Sequence, residues 1–486
     1  MAQKLKILIA SSEVYPYAKT GGLADITGSL PKALKQLGHD VRVIMPKYKS
    51  VAKCPLGIHP VGLDIDVPIG ATRKKGFLFL GSLNENIPIY FVANDTYYFR
   101  DQIYGTSHGD YPDNAERFIF FCRAILEVCK SLGFQPDIIH CNDWQTGLVP
   151  AYLKTIYAKD RWFQNTRTLF SVHNLGYQGN FPSAKLKASG LPFSVYTPEG
   201  VEFYNYFSFL KSGLVYADLL NTVSPTYARE IQTKAFGFKM DGVLRNRSKD
   251  LFGILNGVDT LEWNPALDPW IAKNYDPKSI KGKAACKSNL ADLFSLKVTD
   301  KIPILSMVTR LSSQKGIELV IETMDDILAT GAALIILGSG DPKYEKYFLQ
   351  MSKRYPDQIG THIGFDEKLA HKILAGSDLL LMPSQYEPCG LTQMYALKYG
   401  TIPVVRAVGG LQDSIKEFNK KTLKGTGFKF KKFEVDSFFQ AVQKALSLYQ
   451  KKKDWRRLML NGMEVDHSWD RAARKYCQVY MRALKK

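Results

Sequence analysis

The chain has 486 residues, 45% hydrophobic and 23% charged, which is typical of a globular protein and too long for one ordinary core, so two large domains are expected. No apolar run approaches the roughly 20 residues of a membrane-spanning helix. The N-terminal LKILIASSE reads as a core strand rather than a targeting signal, so we expect a soluble, cytoplasmic protein without a membrane partner. The net charge is +19, but the lysines are spread along the chain, which favours a basic surface for anionic small ligands and predicts no nucleic acid partner.

Strand-like apolar runs alternate with amphipathic stretches along the whole chain. In the first half the runs are KILIAS, VRVIMP, IPIYFVAN, DIIHCN, TLFSVHN and LLNTVS, and in the second half they are PILSMVTR, ALIILGSG, LLLMPS and TIPVVRA. Because these runs are nearly continuously apolar, both faces of each sheet should be covered by helices, for instance 114–132 and 316–329. The repeated strand–helix order predicts an α/β protein with two Rossmann-like, doubly wound parallel sheets.

The boundary between the two domains is predicted between 240 and 260. The basic hexapeptide RNRSKD there precedes LFGILNGVDT and is interpreted as a surface crossing into the second sheet. The domains are therefore expected at 1–250 and 251–466, followed by a terminal helix at 467–486 that could pack on either of them. Ligands bind beyond the carboxyl ends of strands in such sheets, so two facing domains would share a cleft.

The seven cysteines form no CxxC pair and show no Cys/His metal spacing. Cys122 and Cys129 lie on one apolar helical stretch and are predicted to be core thiols. We expect reduced cysteines, no disulfide and no metal ion.

A candidate phosphate site follows the strand PILSMV in the second half. Its sequence, TRLSSQKG, places Arg310 and Lys315 at the start of a helix, and Gly316 permits close backbone approach. Two cations beside free N–H groups suit a diphosphate. The alternative is a pair of surface cations on a loop.

A second candidate follows the strand LLLMP, where a polar loop carries Glu387 and PCGLT begins a helix. Backbone amides at Gly390, Leu391 and Thr392 could hold phosphate oxygens. Glu387 would then accept hydrogen bonds from sugar hydroxyls, and its alternative role is that of a helix-capping acid.

In the first half, Asp143 and His173 each stand at the end of an apolar strand, in IIHCNDWQTG and LFSVHNLGYQG. A single histidine at such a position is usually a partly buried core residue, but two polar strand ends indicate a site. The turn KTGGLAD also follows a strand, and AVGGLQD repeats its Gly-Gly-Leu-x-Asp pattern near the other end of the chain.

Taken together, KTGGLAD, HNLGYQG, SPTYARE, LNGVD, TRLSSQKG and EPCGLTQMYALKYGTIPVV resemble bacterial glycogen synthase and plant-type starch synthase. The similarity runs in order from about Ile7 to the final helix. It implies the two-domain GT-B glycosyltransferase fold, with a glucan-side domain, then a nucleotide-sugar domain, and a terminal helix that crosses back to the first domain.

The resemblance also implies the reaction: glucose is transferred from ADP-glucose to the non-reducing end of an α-1,4-glucan, with retention of configuration and without a metal or other cofactor. Arg310 and Lys315 would neutralise the leaving diphosphate, and Asp143 and His173 would contact the glucosyl unit. Glu387 would hold the glucose. The remaining implied donor-binding residues are Lys19, Gly21, Gly22, Asn256, Gly390, Leu391, Thr392 and Tyr395.

Three positions depart from the family pattern. Asn142 and Gln145 stand where some relatives carry histidines, and Val408 replaces a common threonine before the second Gly-Gly pair. Tyr395 stands where many other GT-B enzymes have a second glutamate, which argues against a general UDP-sugar transferase.

Alternatives to this function remain open from sequence. They are a related transferase that uses UDP-glucose and a non-catalytic glucan-binding protein. A dehydrogenase is disfavoured because neither half shows GxGxxG with a following acid. Aromatic residues in the segment 97–111 either stack on glucan rings or pack within their own loop.

Overall fold

A computed structural model describes residues 4–84, 86–106 and 108–486. The chain divides into two compact units, Met1–Ile254 with Trp469–Lys486, and Leu255–Ser468. The predicted boundaries at 250 and 466 stand four and two residues from these divisions.

The first unit is built on a mixed nine-stranded sheet. Its strands in chain order, with those of two smaller sheets, are β1 (Lys6–Ala10), β2 (Asp40–Pro46), β3 (His59–Ile69), β4 (Thr72–Leu83), β5 (Ile87–Ala93), β6 (Gly105–Thr106), β7 (Gly109–Asp110), β8 (Ile138–Asn142), β9 (Arg167–Val172), β10 (Asn180–Pro182), β11 (Glu202–Phe203), β12 (Tyr206–Ser208), β13 (Leu219–Thr222) and β14 (Leu251–Gly253). The main sheet has the order β14-β13-β9-β8-β1-β2-β5-β4-β3, and β10, β12 and β11 form a small separate sheet.

The helices of the first unit cover this sheet. They are α1 (Gly22–Gln36), α2 (Lys49–Ala52), α3 (Asp95–Tyr98), α4 (Asn114–Ser131), α5 (Leu148–Lys154), α6 (Lys185–Ser189), α7 (Phe209–Tyr216), α8 (Pro225–Glu230) and α9 (Asp241–Asn246). Most residues of α4 are buried, and its Cys122 and Cys129 are core thiols as predicted. All seven cysteines are free.

The second unit holds a fully parallel six-stranded sheet of order β17-β16-β15-β18-β19-β20. Its strands are β15 (Ile304–Val308), β16 (Ala333–Gly338), β17 (Ile359–Ile363), β18 (Leu379–Met382), β19 (Ile402–Arg406) and β20 (Phe428–Phe430). Its helices are α10 (Gly282–Leu293), α11 (Ile317–Glu322), α12 (Met324–Ala329), α13 (Pro342–Arg354), α14 (Glu367–Gly376), α15 (Thr392–Lys398), α16 (Gly409–Ser414), α17 (Val435–Tyr449) and α18 (Lys452–Met463).

The parallel strands of each sheet reverse their order at one place, beside the first strand of that sheet. In the first unit the reversal lies between β1 and β8, and in the second unit it lies between β15 and β18. Loops at the carboxyl ends of such neighbouring strands diverge and leave a crevice for a ligand. These two places are therefore where site residues are expected.

The terminal helix α19 (Trp469–Ala483) belongs to the first unit, as the family resemblance implied. Tyr480 hydrogen-bonds His140 on β8 (2.8 Å), and Tyr476 lies 3.2 Å from the Asn221 side-chain oxygen on β13. Both tyrosines are fully buried. The helix therefore completes the core of the first unit.

Three predictions about the fold were wrong in detail. The strand Leu251–Gly253 after RNRSKD pairs with β13 in the first sheet and does not enter the second. The first sheet is not purely parallel, because β3 and β4 add an antiparallel hairpin at its edge. The helix predicted at 316–329 is two short helices that meet at Thr323.

In the described part of the chain, no helix is long and apolar enough to cross a membrane.

Candidate active site

The strand-order reversal of the second unit carries a largely buried ion pair. Lys315 Nζ lies 2.6 Å from Glu387 Oε2, and their side chains are 15% and 7% exposed. Ser384 Oγ donates a hydrogen bond to the same carboxylate oxygen (3.1 Å). The candidate phosphate-binding lysine and the candidate sugar-binding glutamate therefore meet, although the sequence separates them by 72 positions.

Backbone contacts join the loop that carries Lys315 to the loop that carries Glu387. Gly316 has φ +68°, and a Cβ there would lie 2.1 Å from the Pro383 carbonyl oxygen. Gln385 N donates to Gln314 O (2.8 Å), which joins the loops again. Glycine is thus required at 316 both for its left-handed conformation and for space. Arg310 is exposed two residues beyond β15.

The turn before α15 is shaped by a residue that the sequence reasoning missed, Gln393. Its amide nitrogen donates to the Cys389 and Gly390 carbonyls (3.1 and 2.8 Å) and lies 3.0 Å from Ser414 Oγ. Gly390 has φ +64°, and a Cβ there would lie 2.4 Å from the Gln393 side-chain oxygen. The helix begins after Leu391 without a side-chain cap, so Glu387 does not cap it. The glutamine in CGLTQ was the available sequence signal.

The second Gly-Gly-Leu turn supports the loop that carries Glu387. Gly410 N donates to Glu387 O (3.0 Å), and a Cβ on Gly409, with φ +43°, would lie 1.9 Å from that oxygen. A Cβ on Gly410 would lie 1.9 Å from the Cys389 carbonyl oxygen. This turn is a tight structural contact.

Tyr395 and Asn256 lie in the same unit. The Tyr395 ring stacks on Trp263, with centroids 4.0 Å apart, and Trp263 stacks on His371 at 3.9 Å. His371 in turn contacts the buried Asp268 carboxylate (2.7 Å). Asn256 is buried, 2% exposed.

In the first unit, Asp143 and His173 meet across neighbouring strand ends. Asp143 has φ +57°, and its carboxylate accepts the His173 backbone N–H (2.7 Å). Burial raises the pKa of Asp143 to about 7. Burial also lowers the pKa of His173 to about 3, so its imidazole is neutral at pH 7.

The first Gly-Gly-Leu turn lies at the start of α1. Lys19 Nζ forms an ion pair with Asp25 (2.7 Å), Gly21 precedes the helix and Gly22 begins it. Thr20 donates from its backbone nitrogen and hydroxyl to the Glu13 carboxylate (2.5 and 2.7 Å). Glu13, which follows β1, was missed from sequence and fixes this turn. Its pKa is raised by burial.

The aromatic residues of the 97–111 segment lie partly in the core, and Phe99 among them is 49% exposed. Tyr97 and Tyr98 are buried, and Tyr104 donates to the Glu13 carboxylate (2.7 Å). The exposed large aromatic side chains beyond this segment, in the rest of the first unit after α4, are Tyr177, Phe193, Tyr204, Tyr206 and Phe238.

Among the described residues, no group of three or more His, Cys, Asp or Glu side chains is arranged to hold a metal ion. The predicted residues thus form two clusters, Asp143 and His173 in the first unit and Lys315, Glu387 and the 389–393 turn in the second.

Two Rossmann-like sheets with polar clusters at the carboxyl ends of neighbouring strands define an α/β protein that binds ligands at those ends. A starch synthase catalytic domain model matches residues 6–246, and a glycosyl transferases group 1 model matches 291–458. The chain belongs to the glycogen synthase and starch synthase family of glycosyltransferases.

Full-length relatives and solved structures support this assignment. Glycogen synthases of Syntrophotalea carbinolica and Thermotoga maritima are 47% and 46% identical, each over 99% of both chains. The catalytic domain of starch synthase IV from Arabidopsis thaliana, bound to ADP and acarbose, has a TM-score of 0.92 at 32% identity and is covered completely, as is this chain. Sucrose-phosphate synthase from Thermosynechococcus elongatus, at 17% identity, a TM-score of 0.61 and coverage of 99% of this chain and 100% of that one, shares the fold. The predictions of family, fold class and enzyme class are confirmed.

Proposed function

We propose that this protein is a cytoplasmic glycogen synthase that transfers glucose from ADP-glucose to the non-reducing end of an α-1,4-glucan, with retention of configuration. The observation that carries this proposal is the Lys315–Glu387 pair at the reversal point of the second sheet. When an ammonium and a carboxylate are held together, the ammonium can bind the phosphate of a nucleotide sugar and the carboxylate can accept hydrogen bonds from its hydroxyls. The ADP in the starch synthase IV structure supports an adenine nucleotide as the donor.

Lys315 and Arg310 would stabilise the diphosphate as it departs. Charge on the leaving group grows in the transition state, and cations already in place stabilise it without reorganisation. We propose that these cations serve in place of a metal ion. Chelator treatment tests this: activity should be unchanged by EDTA, and activity lost to EDTA and restored by Mg²⁺ would contradict it.

We propose departure and attack on the same face of the sugar, without a covalent enzyme intermediate. Two carboxylates near the proposed sugar positions are already engaged, Glu387 by Lys315 and Asp143 by the His173 backbone N–H. Since the pKa of Asp143 is about 7, much of this carboxyl is protonated at neutral pH and is a poor nucleophile. A glucosyl-enzyme adduct trapped by mass spectrometry would overturn this part of the proposal.

The glucan would contact the exposed aromatic residues of the first unit. Tyr204 lies in the turn between β11 and β12, is 61% exposed, and has Lys239 over its ring at 4.9 Å. Aromatic faces pack well against the apolar faces of sugar rings. These side chains are candidates for glucan stacking beside those of the 97–111 segment.

The deciding experiment measures nucleoside diphosphate release with glycogen and either ADP-glucose or UDP-glucose. ADP-glucose should be the better donor. Preference for UDP-glucose would replace the donor, and no release from either would favour a non-catalytic glucan-binding protein. Lys315→Met should abolish most of the release. Lys297→Met, which removes an exposed lysine paired with Asp357, is the matched control and should not change it.

A further inference from the structure

The His173 ring is held from one side by Asn142, the last residue of β8. Asn142 is 1% exposed, and its side-chain oxygen lies 2.8 Å from His173 Nε2. Its side-chain nitrogen donates to the carbonyl oxygens of Ala10 and His140, at 3.0 and 3.2 Å. A carbonyl oxygen only accepts hydrogen bonds, so the amide nitrogen must face these two groups. The orientation of the Asn142 amide is therefore fixed.

This orientation determines where the imidazole proton lies. The Asn142 oxygen can only accept a hydrogen bond, so the His173 nitrogen facing it must carry a proton. A neutral imidazole carries one proton, which leaves Nδ1 with a free lone pair. His173 is neutral because burial keeps its pKa far below 7.

His173 Nδ1 is a buried acceptor that has no hydrogen-bond partner in the described part of the chain. Buried polar atoms nearly always have a partner, and exceptions call for an explanation. The ring follows β9 and contacts the last residue of β8, the strand that borders the reversal point of the first sheet, where a ligand is expected. A donor from a ligand would satisfy this nitrogen, and a sugar offers hydroxyl groups.

We propose that Asn142 is a positioning residue, which holds His173 in the Nε2–H tautomer so that Nδ1 accepts a hydrogen bond from a hydroxyl of the sugar substrate. The proposal rests on the proposed function for the identity of the ligand. It also assigns a role to one of the positions at which this chain departs from the family pattern. Asparagine serves here because it is neutral and can face two carbonyls and a ring N–H at once.

The neighbouring His140 is also held in one tautomer by an asparagine, and it offers a control. Asn221 directs its side-chain nitrogen at two carbonyls, so its oxygen accepts from Ser171 Oγ (2.8 Å). Ser171 must then accept from His140 Nε2 (2.6 Å), and His140 Nδ1 accepts from the Tyr480 hydroxyl (2.8 Å). His140 is thereby satisfied at both nitrogens, whereas His173 is satisfied at one. Tyr480→Phe removes a hydrogen bond from this buried network without touching His173.

The first test reads the tautomer directly and does not depend on activity. Two-bond ¹H–¹⁵N spectra of the full chain, labelled with ¹⁵N-histidine, distinguish protonated from unprotonated ring nitrogens. The His173 signal is assigned by its absence from His173→Asn. We expect a proton on Nε2 and none on Nδ1 at pH 7. A proton on Nδ1, or on both nitrogens, would overturn the proposal.

The second test uses kinetics with a series of singly deoxygenated glucosyl donors. In the wild type, the donor that lacks the hydroxyl bound by Nδ1 should lose about tenfold in kcat/KM, the value of one hydrogen bond. In Asn142→Leu the parent donor should lose a similar factor, and this one deoxy donor should lose little more. Tyr480→Phe should lower the melting temperature and leave the ranking of the donors as in the wild type.

Non-additivity at a single hydroxyl supports the positioning role, because a general structural defect would slow all donors alike. An Asn142→Leu variant that retains full kcat/KM, or slows every donor by the same factor, would refute it. If the wild type releases no nucleoside diphosphate from any donor, the proposed function fails, while the NMR spectrum still decides the tautomer. Should Asn142→Leu not fold, the spectrum and deoxy-donor series of the wild type decide.

Discussion

Variants of the Lys315–Glu387 pair can show separately what the pair contributes to the free energy of unfolding and what Lys315 contributes to the rate of glucosyl transfer. An exposed ion pair contributes about 0–1 kcal/mol, and breaking a buried pair by removing one partner costs about 3–5 kcal/mol. This pair lies between those limits, because the two side chains are 15% and 7% exposed. We therefore expect Lys315→Met and Glu387→Gln each to lower the free energy of unfolding by about 2 kcal/mol.

The double variant should be more stable than the sum of the two single losses predicts, because it leaves no uncompensated charge. The expected coupling free energy is about 1–2 kcal/mol, measured by urea denaturation of the wild type, both single variants and the double variant. Strict additivity would show that the two charges do not interact. Lys297→Met breaks the exposed Lys297–Asp357 pair and should change stability by less than about 1 kcal/mol.

Activity should not follow stability in this cycle. Lys315→Met is expected to lower kcat/KM for the donor by about 10²–10³, the loss typical of one group that stabilises transition-state charge. The double variant should regain stability and remain slow, because the charge of Lys315 no longer faces the diphosphate. Full activity of Lys315→Met would remove this lysine from the site. Recovery of activity in the double variant would mean that the single variants act only through misfolding.

Three further outcomes follow from other parts of the structure. Burial raises the pKa of Asp143 to about 7, so the stability that the protonated carboxyl contributes is fully present below about pH 4 and is lost as the pH rises to 7. The free energy of unfolding of Asp143→Asn, measured by urea denaturation, should therefore rise by about 2 kcal/mol relative to that of the wild type between pH 5 and pH 7. A relative decrease over this range would contradict the argument. Gly409→Ala places a Cβ against the Glu387 carbonyl oxygen at a residue with positive φ. This variant should have both a lower melting temperature and a lower affinity for the donor. An unchanged KM for the donor would show that this turn does not affect the site. Tyr204→Ala should raise the KM for glycogen several-fold with the KM for the donor unchanged, whereas Phe77→Ala, a variant at a similarly exposed aromatic residue on β4, should change neither.

The central strands of both sheets could be predicted from sequence because each is a short, nearly continuous apolar run. The hairpin β3–β4 could not be predicted in this way. It lies at the edge of the sheet, where one face is exposed to solvent, so burial alternates along His59–Ile69. The three-residue strand Leu251–Gly253 is too short to show a pattern, and its membership of the first sheet depends on long-range pairing with β13. Local sequence thus predicts buried strands better than it predicts edges.

The sequence indicated candidate site residues by their types, but it did not indicate the contacts that hold them. Polar residues directly after apolar strands indicated Asp143, His173 and Glu387. The residues that hold them, such as Asn142 and Gln393, act through hydrogen bonds to backbone carbonyls, and no spacing rule identifies such partners. Their roles follow from the directions of donors and acceptors, which only the folded chain defines.

The two Gly-Gly-Leu-x-Asp turns show why a repeated pattern need not mean a repeated duty. A Cβ on Gly21 would meet no atom within 4 Å, and Gly22 opens a 15-residue helix, so this turn leaves space in front of its backbone. A Cβ on Gly409 or Gly410 would collide with a carbonyl oxygen at 1.9 Å, so that turn is closed by the loop it supports. Glycine is needed in the second turn because the backbone of a neighbouring loop fills the space, whereas no atom of the protein fills the space at Gly21 in the first turn. The same motif can therefore present backbone amides in one unit and position the Glu387 loop in the other.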